Sequence, residues 1–299
     1  MQIVLAGATG FVGFEVLRQA LEAGHQLFPL VRDQSQPRFD QEAVREGRLI
    51  PLPLGAEAEV LARGFGLEPG ALWINTAGLH RESKSRGTFR QAHQALVQYL
   101  LQQAKELDAC RFVHLSAIGI EAEDAWAQSK GEAELLIQAG GLPHAILRSA
   151  PIYGIGDSLL DEVGAWMMRS PFIPRFLEDV VLQPLYVGDL AEALLRVESG
   201  RHEIGGEGIR WGDLLELCAA AAGKRLVGPR LSENSLLWLA RTFGNRGWLE
   251  ALIPFDEWSL RRHQRGYVLS TNALPALLKG PPQSIENYLK NEWAYRLKV

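Results

Sequence analysis

Two kinds of hydrophobic pattern alternate along the first half of the chain. Short apolar runs, typical of strands buried on both faces, are separated by longer segments whose apolar residues recur every three or four positions. The apolar runs predict strands at 2–6, 26–31, 49–52, 71–76, 111–116 and 144–148. The periodic segments predict helices that start at Phe11 and near 56–63, 88–107 and 125–138. This alternation predicts an α/β fold, a parallel sheet covered by helices.

The alternation weakens after Arg148, where prolines and glycines indicate a region rich in loops. A helix is predicted near 188–190 with Asp189 as its N-cap, and a last short helix at 284–289. We therefore predict two domains. Residues 1–150 form the α/β core, and residues 151–299 complete that core and form a smaller lobe.

The last third of the chain holds most of the tryptophans and one compact apolar run at 236–240. A helix that docks on the main body is the favoured interpretation of this run. Contact with a membrane surface or with a partner protein is the alternative.

Composition limits the classes of function. The 299 residues are 47% hydrophobic and 22% charged, and the net charge of −4 argues against nucleic acid as the main partner. Cys110 and Cys218 have neither metal-ligand spacing nor a disulfide framework, so we expect two small buried apolar groups, no metal site and a reducing compartment. Glycines interrupt the N-terminal apolar run, and no run reaches the ~18–20 apolar residues of a membrane span. We expect a cytoplasmic protein.

A glycine-rich turn joins the first predicted strand to the first predicted helix. Gly7 permits a tight turn, Gly10 lets the backbone approach a pyrophosphate, and Gly13 lets the helix lie close to the strand. The helix N-terminus would then direct its backbone N–H groups at an anion. The turn predicts a dinucleotide site, with an ordinary strand-to-helix turn as the alternative. The cofactor-binding residues predicted here are Gly7, Thr9, Gly10, Phe11, Val12 and Gly13.

The second predicted strand ends in Arg32 and Asp33, where a dinucleotide would place its adenosine ribose. A guanidinium pairs with a 2′-phosphate, whereas a carboxylate accepts from a 2′-hydroxyl. Arg32 comes first and can also stack on adenine, which favours NADP(H). Asp33 keeps NAD(H) open, and a pair of solvated surface charges is the alternative for both residues.

Small residues follow the fourth predicted strand. Thr76, Ala77 and Gly78 are expected where the chain crosses the middle of the cofactor, because small side chains leave room for ribose and nicotinamide. An ordinary strand-to-loop turn is the alternative.

Several segments together carry a resemblance to a known superfamily. They are 7–13, 31–33, 111–119, 129–132, 146–148, 152–154 and 183–191. With these, the chain resembles the extended or atypical short-chain dehydrogenases/reductases, and among them the bacterial relatives of the NADPH-binding accessory subunit of respiratory complex I. The resemblance covers about residues 1–220. It implies a Rossmann-type, doubly wound parallel sheet in which residues 1–150 bind the dinucleotide, with a small substrate-side lobe in the C-terminal part.

The catalytic pattern that this resemblance implies is incomplete. In active members a tyrosine four residues before a lysine moves a proton, the lysine holds the nicotinamide ribose, and a serine on the preceding strand polarises a carbonyl. Ser116 and Lys130 match the serine and the lysine, and Trp126 stands at the tyrosine position. An indole N–H is neither an acid nor a base near neutral pH. Ser116, Lys130 and Ile152 are also expected to contact the cofactor.

Two interpretations of Trp126 stay open. Either the chain binds a nicotinamide cofactor without turnover, or another group replaces the tyrosine. His80, Tyr153 and His114 are the candidates, although His114 lies within a strand and is typical of a core histidine. As a packing residue, Trp126 would form an aromatic lid on the cofactor or on an empty pocket.

Three further features modify the resemblance. Arg148 either anchors neighbouring loops or forms a salt bridge with a nearby helix. Ser149 and Ala150 separate it from Pro151, where the family places the proline directly, and the third strand lacks the aspartate that relatives use near adenine.

The sequence thus predicts an NADP(H)-binding protein with a structural, assembly or redox-sensing role. The alternative is an active oxidoreductase or epimerase that uses a different proton donor. A decayed nucleotide site in an interaction module is a third interpretation. We expect an unknown small molecule or a protein as the partner, and peripheral contact with the inner membrane is compatible with the sequence.

Overall fold

The structure is a computed structural model that describes residues 1–32, 39–83, 87–169, 175–227, 230–232, 234–235, 238 and 268–296. The chain divides into two compact units. The core unit comprises Met1–Ser149, Val187–Ile204 and Ala273–Gly280. The second unit comprises Ala150–Tyr186, Gly205–Asn272 and Pro281–Val299. The core unit therefore takes two segments from the second half of the chain.

Strands and helices are numbered in chain order. The strands are β1 Gln2–Ala6, β2 Gln26–Val31, β3 Leu52–Pro53, β4 Leu72–Asn75, β5 Arg111–Ala117, β6 His144–Ser149, β7 Ile152–Tyr153, β8 Val181–Leu182, β9 Leu185–Tyr186, β10 Gly200–Ile204 and β11 Ile209–Arg210. The α-helices are α1 Phe11–Glu22, α2 Gln41–Arg45, α3 Ala58–Phe65, α4 Leu96–Glu106, α5 Ala125–Ala139, α6 Ser158–Arg169, α7 Val187–Arg196, α8 Trp211–Ala221, α9 Leu274–Leu277, α10 Ile285–Tyr288 and α11 Ala294–Arg296. π-Helical segments lie at Arg90–Ala95 and Leu289–Trp293.

The core unit is built on one parallel sheet. In the described residues it has seven strands in the order β10-β6-β5-β4-β1-β2-β3, which is a Rossmann-like α/β arrangement and confirms the predicted fold class. Ile3, Val4 and Leu5 of β1 are fully buried, as a strand covered on both faces requires. The strand order reverses at β1, between β2 and β4. Ligands of such sheets bind in the crevice at the carboxyl ends of the strands where this reversal occurs.

Several predicted elements differ in detail. The third strand is reduced to Leu52–Pro53, with an isolated bridge from Leu49 to Leu27. The long helix predicted at 88–107 begins as the π-helical segment Arg90–Ala95. Strand β10, which pairs with β6, was not predicted, because its half-exposed polar sequence has no strand-like apolar run.

Three local predictions were wrong or cannot be followed. Asp189 lies in the first turn of α7 instead of capping it, because the helix already begins at Val187. Cys110 is exposed in the short turn before β5, whereas Cys218 is buried in α8 as expected. The apolar run 236–240 lies outside the described residues except for Trp238, which is helical and exposed.

The second unit has its own apolar core, in which aromatic rings pack at tilted angles. Tyr153, Tyr186 and Tyr288 have ring centroids 5.2–5.8 Å apart, and Phe176 packs on Trp211 at 6.0 Å. Among the residues described, no helix is long and apolar enough to cross a membrane.

A buried ion pair ties α5 to β6 in the core unit. The guanidinium of Arg148 donates to both carboxylate oxygens of Glu134 at 2.8–3.2 Å, and the Ser116 hydroxyl donates to the same carboxylate at 2.5 Å. Arg148 also donates to Glu121 at 2.7 Å. Glu134 is 3% exposed and Glu121 is 69% exposed. The Glu134 hydrogen bonds and the nearby carboxylates raise the pKa of Arg148 further. Both interpretations of Arg148 have a counterpart here, a salt bridge with Glu134 of α5 and a bond to Glu121 in the loop before that helix.

We expect Glu134→Gln to lower the free energy of unfolding by about 3–5 kcal/mol, because it leaves a buried guanidinium without its main counter-ion. Urea denaturation followed by circular dichroism measures the change. The control Glu121→Gln removes an exposed partner of the same arginine and should cost less than about 1 kcal/mol. Equal losses in the two variants would contradict the assignment of Glu134 as the main partner.

Candidate functional site

The glycine-rich turn after β1 leaves no room for a side chain at Gly7 or Gly13. Gly7 has φ +86°, in the left-handed region that favours glycine, and a Cβ there would lie 2.7 Å from the backbone nitrogen of Ala77. A Cβ on Gly13 would lie 2.0 Å from the carbonyl oxygen of Gly7. The Gly10 N–H donates to that same oxygen at 2.9 Å and closes the turn. The three glycines therefore bring strand, turn and helix into contact.

Helix α1 presents an uncapped N-terminus beside this turn. Its N-cap is Gly10, and no side chain accepts a hydrogen bond from its first turn. Thr9 and Gly10 are exposed, Phe11 is half-buried, and Val12 packs into the core. The first N–H groups of an α-helix have no acceptor within the helix, and its dipole favours negative charge. The start of α1 is therefore a place where an anion would be favoured, and phosphate binding there stays a prediction.

The segment after β4 packs directly on the turn. The Thr76 hydroxyl and backbone N–H both donate to the carbonyl of Ala6, at 2.9 and 3.0 Å. The Asn75 side-chain oxygen accepts from the Ala77 N–H at 3.0 Å, and its amide nitrogen donates to Nδ1 of His114 at 3.1 Å. These bonds hold Thr76 and Ala77 against Gly7.

Lys130 reaches this segment from α5. A Cβ placed on the exposed Gly78 would lie 3.5 Å from the Lys130 ammonium and 3.5 Å from Nε2 of His93. The ammonium donates to the carbonyl of Leu115 at 3.3 Å. Burial lowers the pKa of Lys130 to about 8, against the opposing effect of the Glu134 charge. A buried ammonium beside an exposed glycine can donate to a ligand that lies over Gly78.

His93 and Trp126 are joined by hydrogen bonds. Nε2 of His93 accepts from the Leu79 N–H at 3.0 Å, and its Nδ1 lies 2.8 Å from the Ser129 hydroxyl. The Trp126 indole N–H donates to the Leu79 carbonyl at 3.0 Å, and its ring stacks on His80 with centroids 6.4 Å apart. Burial, with smaller contributions from the charges of Lys130 and His80, lowers the pKa of His93 to about 3. His93 is therefore neutral at physiological pH.

The remaining predicted residues lie in different places. Arg32 is exposed directly after β2, and Asp33 lies outside the described residues. Ile152 forms β7 in the second unit, where the hydroxyl of Tyr153 donates to the carbonyl of Gln283 at 2.8 Å. His114 is buried, as expected of a core histidine, and burial lowers its pKa. No cluster of metal-ligating side chains occurs among the residues described.

Sequence reasoning missed several members of this site. They are Leu79, His93 and Glu134, whereas Asn75 and Ser129 lie in segments singled out from the sequence without a role of their own. The four-residue spacing from Lys130 to Glu134 places both on one helix face and could have indicated Glu134. Nothing in the local sequence indicates His93, because its partners come from two other segments of the chain.

Fold and turn together define a Rossmann-like protein with the cradle for a dinucleotide pyrophosphate. The family model for the NAD dependent epimerase/dehydratase family matches residues 3–158, more than half of the chain. The chain belongs to this family, and the resemblance to extended short-chain dehydrogenases/reductases is confirmed. The family supports a dinucleotide cofactor. The turn fits one because a Cβ on Gly7 or Gly13 would collide with neighbouring backbone, so only glycines allow this close approach of strand, turn and helix.

Two curated relatives are distant in sequence. The chain is 22% identical over 222 residues to the mitochondrial NADH dehydrogenase [ubiquinone] 1 alpha subcomplex subunit 9 of Dictyostelium discoideum, over 71% of this chain and 61% of that protein. It is 26% identical over 205 residues to ceramide reductase of Caulobacter vibrioides, over 64% of this chain and 59% of that protein. The matches thus span about 60% of the length of these relatives.

Solved structures share the fold. A nucleoside-diphosphate-sugar epimerase from Staphylococcus aureus matches 97% of this chain and 100% of its own, with a TM-score of 0.70 and 17% identity. The UDP-glucuronic acid 4-epimerase from Bacillus cereus, solved in complex with NAD, matches 100% and 99% of the two chains, with a TM-score of 0.70 and 15% identity. At such identities the likeness concerns the fold.

The clash at Gly13 predicts the effect of adding one methyl group. We expect Gly13→Ala to abolish dinucleotide binding and to lower thermal stability, because the new Cβ would overlap the Gly7 carbonyl. Differential scanning calorimetry with and without NADPH measures both effects. Gly64→Ala in α3 is the matched control, since its Cβ meets nothing closer than 4.0 Å. It should raise stability by up to about 1 kcal/mol and leave binding intact.

The lowered pKa of His93 predicts a pH dependence of stability. Between pH 6.5 and 3 the unfolded chain binds a proton that folded His93 does not, so its stabilising contribution is complete above pH 6.5 and is lost as the pH falls. We therefore expect the stability difference between the natural protein and His93→Gln to shrink by about 2 kcal/mol from pH 6.5 to pH 5. Urea denaturation at the two pH values checks this, and an unchanged difference would refute a neutral His93.

Proposed function

We propose that this protein binds a nicotinamide dinucleotide and serves a structural, assembly or redox-sensing role, without the tyrosine-based proton transfer of its active relatives. The observation that carries the proposal is the state of Trp126. Its only N–H is donated to the backbone carbonyl of Leu79. The side chain at the tyrosine position therefore stabilises the protein's own loop and has no proton to exchange.

The residues of the core unit suit a holding role. In the proposed complex, the N–H groups at the start of α1 bind the pyrophosphate, and Lys130 donates to the nicotinamide ribose that lies over Gly78. When bound, the cofactor supplies hydride chemistry. Thr76 and Ala77 contribute by holding the turn in place. Bound dinucleotide stabilises the folded chain by mass action.

The other groups of the predicted catalytic set are also engaged inside the protein. Ser116 is 1% exposed and donates its hydroxyl proton to Glu134, so we propose that it positions the buried ion pair instead of polarising a substrate carbonyl. His93 has both ring nitrogens in hydrogen bonds and is neutral. These contacts support cofactor binding without substrate turnover.

For the cofactor we propose NADP(H). Arg32 is exposed directly after β2, where its guanidinium can reach a 2′-phosphate. NAD(H) is the alternative, and two structures that share the fold were solved with NAD bound. Competition between NADPH and NADH in a binding titration distinguishes the two.

A second candidate function is a working oxidoreductase or epimerase. Lys130 favours it, because an ammonium whose pKa is about 8 can exchange a proton near neutral pH. The relative from Caulobacter vibrioides carries the name of a reductase. For this function the partner would be a small molecule, whereas the holding role implies a protein partner. A cytoplasmic location, with peripheral membrane contact, stays a prediction of the sequence.

Turnover measurements separate the two functions. We expect the natural protein to bind NADPH at one site, detected by native mass spectrometry and by fluorescence titration, and to show no steady NADPH oxidation with aldehydes, ketones or nucleotide sugars. Trp126→Tyr, assayed at saturating NADPH, restores the proton donor, but we expect no turnover, because Ser116 stays bonded to Glu134. A gain of turnover would show that only the proton donor was missing and would favour the enzyme function. Steady oxidation by the natural protein would refute the holding role. Absence of any NADPH or NADH affinity would refute both functions.

A further inference from the structure

Leu79 is held on both sides of its peptide backbone by side chains from two other elements of the core unit. Its N–H donates to Nε2 of His93 at 3.0 Å, and its carbonyl accepts from the Trp126 indole at 3.0 Å. Ser129 links the His93 ring to the backbone of Trp126, because its hydroxyl lies 2.8 Å from Nδ1 of His93 and donates to the backbone carbonyl of Trp126 at 2.7 Å. These four hydrogen bonds form a closed circuit, which we name the Leu79 clasp.

The donors and acceptors of the clasp are mutually consistent. Because Nε2 of His93 accepts from Leu79, the proton of the neutral ring is on Nδ1 and is donated to Ser129. The Ser129 hydroxyl accepts this proton and donates its own to the backbone carbonyl of Trp126, so no two donors or two acceptors face each other. The side chains are withdrawn from solvent: His93 is 2% exposed, Ser129 4% and Trp126 8%. In such surroundings an unmade hydrogen bond is costly, so the circuit is fixed as a unit.

The clasp acts on the part of the chain that supports the glycine-rich turn. Leu79 follows Ala77 by two residues, and the backbone of Ala77 lies where a Cβ on Gly7 would be. Gly78 lies between these two residues, is exposed to solvent and is next to the Lys130 ammonium. A displacement of Leu79 therefore moves both the support of the turn and the floor of the proposed ribose site.

We propose that His93, Ser129 and Trp126 are positioning residues that hold the segment 76–79 in its dinucleotide-binding conformation. This inference rests on the proposed function and deepens it. The tryptophan contributes its indole N–H to the site, so its presence is more than the loss of a tyrosine. The ligand whose binding depends on the clasp is a nicotinamide dinucleotide.

Trp126→Phe tests the clasp, because phenylalanine keeps an aromatic ring and removes the N–H bond to Leu79. We expect NADPH or NADH binding to weaken about five- to tenfold. Tyr99→Phe is the matched control. The Tyr99 hydroxyl donates to the Ala56 carbonyl at 2.8 Å, the same kind of side-chain-to-backbone bond away from the clasp. Tyr99→Phe should lower the free energy of unfolding about as much as Trp126→Phe does, and it should bind the dinucleotide as tightly as the natural protein.

His93 provides a second pair of variants. His93→Leu removes both bonds of the ring and is expected to weaken dinucleotide binding at least as much as Trp126→Phe. His93→Gln retains an acceptor for Leu79 and a donor for Ser129, so it should recover part of the affinity. Equal affinities for the leucine and glutamine variants would overturn the positioning role of this side chain.

Hydrogen exchange of the apo protein gives a readout that needs no cofactor. In Trp126→Phe and His93→Leu, the peptide that covers 76–80 should exchange faster than in the natural protein, by a factor at least as large as the loss of dinucleotide affinity. Peptides from β1 and β5 should change no more than they do in Tyr99→Phe. Unchanged exchange at 76–80 would overturn the clasp. If the variants exchange faster at 76–80 but the natural protein binds no dinucleotide, the proposed function is refuted and the clasp stands as a structural device.

Discussion

The close approach of the glycine-rich turn to its neighbours is the constraint on which the rest of the site depends. The Gly7 carbonyl occupies the space of a Gly13 side chain, and the Ala77 backbone occupies that of a Gly7 side chain. Strand β1, helix α1 and the end of β4 therefore come together at a distance that only glycine allows. This approach directs the free N–H groups of α1 into the crevice at the strand ends, where the fold binds dinucleotides.

A second feature of the site is the burial of a cation near that crevice. Withdrawing the Lys130 ammonium from water destabilises the folded state, and the lowered pKa of Lys130 reflects this cost. The nearby Glu134 offsets part of it, although that carboxylate is mainly engaged with Arg148. A ligand that accepts hydrogen bonds from Lys130 over the exposed Gly78 would offset the remaining cost of burying this charge.

Family membership and local chemistry carry different information here. Membership of the epimerase/dehydratase family accounts for the Rossmann-like sheet. Trp126 stands where the pattern of active members has a tyrosine. Its indole N–H donates to the Leu79 carbonyl, and His93 and Ser129 make the other hydrogen bonds of the Leu79 clasp. Under the proposed function, the chain keeps the cofactor site of its family, and the side chain at the tyrosine position makes a structural contact.

The sequence by itself determined the α/β fold, the parallel strands of the first half and the turn at Gly7, Gly10 and Gly13. These follow from local properties, namely apolar runs, helical periodicity and the backbone freedom of glycine. For Arg148 it left loop anchoring and a salt bridge with a helix open, and it did not name a partner. Only the tertiary structure decided that β10 completes the sheet, that Ser116 serves Glu134, and that His93 meets Leu79 and Ser129. Those contacts join residues far apart in sequence, and hydrogen-bond partners set by strand order and helix packing leave no periodic signal along the chain.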